Sequence, residues 1–410
     1  MEKLTGLLGI AVILGLAYAL STDRRAIRWA QIGWGLALQV ALAVFILWTP
    51  LGRAFFEALG AGVTRLLDFS NLGAAFVFGS LVTRPEMGFI FAFKVLPAIV
   101  FVGSLMGIAY YLGIMQAVVS FIAKIMVKTM KTSGAESLSA AGTVFVGQSE
   151  APLLIRPYLA SMTRSELNAI MTGGMATIAG SVMAAYIGML GAEWAPHLLA
   201  ASIMGAPAGL VMAKLLCPET EQPQTGGDVK LEVAVQESSV IEAAAKGASE
   251  GMHLAFIVAA MLIGFISLLA LVNAGFGYLG GLVGYPNLTL ELMLGYAFMP
   301  LALAMGTPWA DAQTVGGLLG QKIILNEFVA YGNLAEILKP GGVELSTKAI
   351  TIATFALCGF ANVSSIAINI GCIGGLVPER RGELARLGLR AMTGGALASC
   401  MTATIAGILV

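Results

Sequence analysis

Apolar residues fall into long runs separated by short polar intervals, and several runs are long enough to cross a bilayer. A helix needs about 20 apolar residues to span the hydrocarbon core. By that measure Leu4–Leu20, Trp29–Trp48, Phe89–Leu112, Leu167–Leu190, Leu198–Leu216, Leu254–Val272, Ala349–Leu376 and Leu387–Leu409 are predicted spans. Two further stretches mix charge with apolar residues at helical spacing. Gly52–Leu67 carries Arg53, Glu57 and Arg65, and Met115–Met130 carries Lys124 and Lys128. Both suit helices lying in the membrane interface.

Two apolar stretches are too interrupted for clean spans. Ser137–Leu159 contains Gly147, Gln148, Ser149, Glu150 and Pro152. Leu292–Tyr331 contains Gly306, Pro308, Asp311, Gly316, Gly317, Lys322, Asn326 and Glu327. Irregular backbone survives at membrane depth where protein or a watery cavity surrounds it, so each is read as a re-entrant hairpin. Between them Pro218–Glu250 is the one long polar stretch, a linker that includes Asp228, Lys230 and Glu232 and whose end could form a short amphipathic helix. The expected organisation is a scaffold of N-terminal and interfacial helices over 1–135 and a first repeat over 136–216. A linker and scaffold span follow over 217–275, and a second repeat covers 290–410.

Lys and Arg mark the cytoplasmic side. Arg24, Arg25 and Arg28 place the first loop inside and the N-terminus outside. They follow the first apolar run instead of preceding it, so that run is read as a membrane helix and not as a cleaved signal. Following the chain, the first hairpin enters from inside and the second from outside. Arg380, Arg381, Arg386 and Arg390 lie inside again, and the C-terminus lies outside. Two halves of inverted topology, each with a broken element at the midplane, are a signature of secondary transporters. The expected fold class is an all-α polytopic membrane protein with about eight transmembrane helices, two inverted re-entrant hairpins and interfacial helices.

Composition agrees. The 410 residues are 58% hydrophobic and 11% charged, with 23 basic and 23 acidic side chains. A soluble domain has about 25% charged residues. The zero net charge leaves no signature of nucleic-acid binding, and membrane lipid is the solvent this composition requires. Cys217, Cys358, Cys372 and Cys400 form no CxxC pair and read as small buried hydrophobes. The chain has only His197 and His253, no HExxH and no nucleophile flanked by a base, so an enzyme is disfavoured.

Four constellations carry chemistry. Gly147-Gln148-Ser149-Glu150-Ala151-Pro152 puts a carboxylate beside an amide in the first hairpin. A carboxylate in a membrane segment costs about 3 kcal/mol or more and marks function, although capping of a half-helix is the structural alternative. The amide donates and accepts together, as a nucleobase edge requires. Ala176-Thr177-Ile178-Ala179-Gly180-Ser181 suggests an unwound stretch whose carbonyl and hydroxyl oxygens suit a hard cation, although such hydroxyls also bond the preceding turn. Asn326-Glu327-Phe328 stands in the second hairpin, and Phe360-Ala361-Asn362-Val363-Ser364-Ser365 in the span after it. Each half thus holds a carboxylate in its hairpin and a hydroxyl-rich break in a later span. A channel, or a carrier of some other small polar solute, shares this logic.

Together these strings resemble the concentrative nucleoside transporter family, from about Phe89 to the C-terminus. GQSEAPLLIRPYL resembles the first-hairpin signature, MTGGMATIAGSV the first broken span, LNEFVAY the second hairpin and GFANVSSIAI the second broken span. The resemblance implies an inner-membrane nucleoside importer, a cation symporter of elevator type, assembled as a homotrimer with one site per protomer. It implies that Gln148, Ser149 and Glu150 meet the nucleobase, with Val182 on the same side. Glu327, Asn362 and Ser365 would hold the ribose hydroxyls, and Phe360 would wall the pocket. It implies a sodium site from the side chain of Thr143, the backbone of Val146, the side chain of Thr177 and the backbone of Ile178. Thr143 departs from the family's Asn, so the coupling ion is sodium or a proton. A proton would ride on Glu150 or another carboxylate.

Overall fold

The computed structural model describes residues 2–84, 90–225, 237–282, 284–285, 287–339 and 341–410. Phe89, the expected start of the third span, and Asp228, Lys230 and Glu232 of the linker lie outside these residues. The described residues form helices and connections, with no strand among them. The chain opens with α1 (Glu2–Ala19), α2 (Trp29–Trp48), α3 (Pro50–Phe78) and two single turns, α4 (Ser80–Thr83) and α5 (Phe91–Lys94). Two series of like order follow. The first is α6 (Leu96–Tyr111), α7 (Ile114–Met130), a hairpin of α8 (Gly134–Gly142) and a 3-10 helix (Ala151–Ser161), the broken helix α9 (Arg164–Ala176) and α10 (Gly180–Leu190), and α11 (Ala195–Leu216). The second is α12 (Val240–Leu282), α13 (Leu290–Ala304), a hairpin of α14 (Ala312–Ile324) and α15 (Glu327–Ile337), the broken helix α16 (Thr347–Leu357) and α17 (Val363–Leu376), and α18 (Arg381–Leu409).

The hairpins enter from opposite ends of the bundle. The 18 residues of α1 span about 27 Å at 1.5 Å per residue. Just past its C-terminal end, Thr22 N donates to Leu216 O at 3.0 Å. At that same end Lys214 pairs with Glu136 at 2.6 Å, at the base of α8. Near the other end of α1, Gly6 lies against Gly306, just ahead of α14. The expected inversion is therefore present in the packing.

Capping fixes the base of each hairpin and of the broken helices. Ser133 with Glu136 and Thr163 with Glu166 form capping boxes that start α8 and α9 side by side. At the other end, Ser346 caps α16 and its hydroxyl donates to Asp311 at 2.6 Å, beside the start of α14. Both hairpin tips and both helix breaks thus meet midway between the ends.

Three expectations on the elements change. The predicted interfacial segment Gly52–Leu67 is part of a 29-residue helix, because Thr49 caps it, Pro50 occupies its first turn and nothing stops it before Gly79. The amphipathic helix at the end of the linker begins at Val240 and is not a separate short element: it continues into the predicted span Leu254–Val272, so that α12 runs for 43 residues. Its polar start has two faces. Glu242, Lys246 and Glu250 recur every four residues, and so do the buried Ala243, Gly247 and Gly251, one position further on. The small residues let α12 lie directly on α6: a Cβ at Gly251 would stand 2.8 Å from Ile99 O. The second hairpin is also narrower than Leu292–Tyr331. The turn at Gly306, with φ of +92°, closes α13 as a separate helix packed on α14, and only α14 and α15 form the hairpin.

Six helical stretches are long and apolar enough to cross a membrane: Trp29–Trp48, Phe91–Tyr111, Arg164–Leu190, Ala192–Leu216, Val240–Leu282 and Pro378–Leu409. The predicted spans at the N-terminus and at Ala349–Leu376 are shorter apolar helices, the latter in two pieces. Burial divides the set. In Arg164–Leu190 and Ala192–Leu216 89% of the apolar window is buried, against 17% in Phe91–Tyr111 and Val240–Leu282. The first pair encloses the hairpin tips, and the second pair presents its apolar surface outward.

Candidate substrate and ion site

Each helix break forms because the chain supplies partners for the freed backbone. α9 stops at Thr177, whose extended backbone begins the break, and α10 restarts at Gly180. Gly180 N donates to Phe145 O of the first hairpin tip at 2.9 Å. In the second half α17 restarts after Asn362, whose Oδ1 accepts from Ser365 N at 2.9 Å. The two breaks touch, since Phe360 N donates to Thr177 O at 3.3 Å. Gly359 makes that approach possible. Its φ is +158°, and a Cβ there would meet Ser399 Oγ at 2.7 Å and Met175 O at 3.0 Å.

Four of the predicted substrate residues, Gln148, Glu327, Asn362 and Ser365, converge here. Glu327, 3% exposed at the first position of α15, accepts from Tyr186 Oη at 3.0 Å and from Asn362 Nδ2 at 2.8 Å. Gln148 Nε2 donates to Ser365 Oγ at 2.9 Å, and Asn369 Nδ2 donates to Gln148 Oε1 at 2.6 Å. One polar cluster therefore crosses from the first hairpin tip to the second broken helix, and a second joins that helix to the second hairpin. Val182 and Phe360 are buried. Ser149 and Glu150 are exposed, and their side chains take no part in these bonds. Ser364, singled out with the second break, donates to Asn362 Oδ1 at 2.6 Å and stiffens the cap.

A carboxylate bonded by two donors is suited to accept from hydroxyls, and a mixed amide and hydroxyl edge is suited to a ring that both donates and accepts. Groups of this kind are left with unpaired donors and acceptors when a ligand lacks the matching hydroxyl, and that penalty is how such a site can discriminate.

Of the four predicted ion ligands, Thr143 and Val146 lie at the first hairpin tip and Thr177 and Ile178 in the break after α9, two segments joined by the Gly180–Phe145 bond. Thr143 and Thr177 are both about 1% exposed, and both hydroxyls donate back to their own helices, to Ala140 O at 2.8 Å and Gly173 O at 3.1 Å. Spending the proton locally leaves the oxygen lone pairs free as acceptors. Val146 and Ile178 are buried beside them. Ser202 Oγ lies 3.4 Å from Val144 O and 3.5 Å from Ile178 O, joining the tip to the break. An all-oxygen set of hydroxyls and carbonyls, without sulfur or imidazole, fits a hard monovalent cation. No group of three or more His, Cys, Asp or Glu side chains suited to a metal occurs among the described residues.

Tyr186, Asn369 and Ser202 were not singled out in the sequence. Tyr186 lies four residues after Val182, and Asn369 four after Ser365. That spacing places each on the same helix face as a predicted site residue, which was the available signal. Ser202 lies in an otherwise apolar span and carried none.

Two inverted hairpins facing two broken helices around one polar midplane site define a secondary transporter. Models of the Na+ dependent nucleoside transporter match the chain at 197–407 for the C-terminal part and 8–81 for the N-terminal part, and a nucleoside-recognition gate model matches 92–193. An uncharacterized transporter of Haemophilus influenzae is 48% identical over all of this chain and 98% of its own length. The mouse sodium/nucleoside cotransporter 1 is 42% identical over all of this chain and 64% of its own length. The structure of CNTnw in an inward-facing substrate-bound state is 44% identical, covers 100% of this chain and 98% of that one, and superposes with a TM-score of 0.95. The chain belongs to the Na+ dependent nucleoside transporter family, whose members are membrane transporters and not enzymes.

Proposed function

We propose that this protein imports nucleosides by sodium symport. The observation that carries the reading is the buried carboxylate Glu327, held by Tyr186 and Asn362 across the meeting point of both halves. Vicinal ribose hydroxyls donate to Glu327 and exchange bonds with Asn362 and Ser365. The base lies toward Gln148, with Ser149 and Glu150 at the open edge and Val182 and Phe360 on its faces. Because Gln148 bonds Ser365, the base end and the sugar end of the site share one network, and a ligand spanning both ends replaces that internal bond.

Sodium binds between the first hairpin tip and the break after α9, through Thr143, Val146, Thr177 and Ile178. The ion joins two segments that also border the nucleoside site, which couples the two cargoes: each orders backbone that the other needs. Sodium is favoured over the proton because the acceptors are hydroxyls and carbonyls that do not titrate.

The two repeats, 136–216 and 290–410, move as an elevator past a scaffold of 1–135 and 217–275. The contrast between the buried α9–α11 and the outward-facing α6 and α12 supports that division. The scaffold face assembles the homotrimer in the inner membrane, and both termini lie outside. Uptake of labelled uridine into liposomes holding the purified protein tests the reading: accumulation driven by an inward sodium gradient is expected, and its absence in folded protein overturns it.

A further inference from the structure

The second half contains a buried cation that the transport reading leaves without a role. Lys322 lies in the last turn of α14, is 1% exposed, and its Nζ donates to Ala356 O at 2.7 Å. No carboxylate oxygen stands within 4.0 Å of it among the described residues. Glu327 lies five residues further along the same hairpin. Ala356 is one residue from the end of α16, where the half-helix stops at the second break. A helix C-terminus presents unpaired carbonyls and partial negative charge, which a cation stabilises.

The inverted repeat gives this position a counterpart. α8 ends at Gly142 with Thr143 as its cap, and α14 ends at Ile324 with Leu325 as its cap. α9 ends at Ala176 with Thr177 as its cap, and α16 ends at Leu357 with Cys358 as its cap. The pair of hydroxyl caps that frames the ion site in the first half corresponds to Leu325 and Cys358 in the second, an apolar residue and a thiol. Neither suits sodium. Lys322 Nζ lies at the carbonyl of Ala356, two residues before the Cys358 cap.

We propose that Lys322 is a tethered replacement for a second coupling ion. Each half then has one hairpin carboxylate and one cation position: Glu150 with a mobile ion, and Glu327 with a resident ammonium. Lys322 is a positioning residue. Its charge holds the end of α16 against α14, which sets Phe360 and Asn362. The inference rests on the first-half ion site proposed above and adds a stoichiometry to it: one sodium ion per nucleoside.

The test is uridine binding to the full-length purified protein as a function of sodium. Wild type is expected to need sodium with a Hill coefficient of about one. Lys322→Ala opens the position. It should lose roughly tenfold or more in uridine affinity at a sodium concentration that saturates wild type. Ethylammonium, which carries the lost ammonium on a stem one carbon shorter than the one removed, should restore binding, whereas tetramethylammonium, too large to enter, should not. Lys322→Met fills the position with an uncharged stem and should be rescued by neither. Lys322→Met that melts like wild type and binds uridine with wild-type affinity overturns the proposal, and so does folded Lys322→Ala that ethylammonium leaves unchanged. Should both variants fail to fold, the wild-type measurement decides: a Hill coefficient of about two places a mobile ion in each half and overturns the tethered-cation reading. Wild-type binding that ignores sodium overturns the first-half ion site itself.

Discussion

Replacing Glu327 by Gln is the sharpest perturbation of the nucleoside site. The amide keeps the shape of the carboxylate and removes its charge and one of its two acceptor oxygens. Tyr186 Oη and Asn362 Nδ2 now donate to the two oxygens of Glu327 from 3.0 and 2.8 Å. In Glu327→Gln one of these donors faces an NH2 group, and the other keeps a neutral bond. A hydrogen bond to a charged group is worth about 1.5–3 kcal/mol and a neutral one about 0.5–1.5. The two internal bonds weaken in the free and bound protein alike, so uridine loses only its own contacts: one ribose hydroxyl loses a charged bond and the other keeps a neutral one, for a total of about 3 kcal/mol. At about 1.4 kcal/mol per decade this is more than a hundredfold in uridine affinity. Calorimetric binding of uridine at saturating sodium measures it. The analogue 2′,3′-dideoxyuridine, which lacks the hydroxyls, should lose much of its disadvantage in the variant. Folded Glu327→Gln that binds uridine within about threefold of wild type, or still discriminates against the dideoxy analogue as before, refutes the assignment of Glu327 to the ribose.

Other outcomes follow from the same geometry. Thr177→Val keeps the shape but removes the oxygen acceptor, so half-saturation by sodium should rise by roughly tenfold or more while uridine uptake at very high sodium recovers. Thr143→Asn supplies a longer oxygen arm and should lower that half-saturation, as read from sodium-dependent uptake. Gly359→Ala places a Cβ 2.7 Å from Ser399 Oγ at a left-handed φ, and should destabilise the folded protein by about 1–3 kcal/mol, seen as a lower melting temperature in detergent. Lys214→Ala strands the buried Glu136, whose partner is 2.6 Å away, and should cost about 3–5 kcal/mol. The double variant with Glu136→Ala should recover part of that loss.

Much of the fold was legible because a span needs little more than length and apolarity. Trp29–Trp48 coincides with α2, and the break at Thr177–Ala179 falls where hydroxyls and a glycine interrupt the run. The pattern failed where one helix face was polar and the other made of small residues. Glu242, Lys246 and Glu250 look like a linker until Ala243, Gly247 and Gly251 are seen packed on α6. It failed again at Leu292–Tyr331, where the turn at Gly306 closes a helix that hydropathy alone merges with the hairpin. At the site, Glu327 and the Asn362 cap stood out because polar residues in apolar runs are costly and few. Tyr186 was not, because an aromatic side chain on an apolar face gives no sign of where its hydroxyl ends. Lys322 was visible only as an interruption. Its meaning needed the end of α16 beside it, a contact 34 residues away along the chain.

The central claim is sodium-driven nucleoside import, and the most direct measurement is accumulation of labelled uridine in liposomes under separate inward gradients of sodium and of protons. The account predicts concentrative uptake with the sodium gradient, abolished when the gradient is collapsed, and none with the proton gradient alone. Uptake driven by protons and indifferent to sodium would contradict it and would take the ion-binding role away from Thr143 and Thr177.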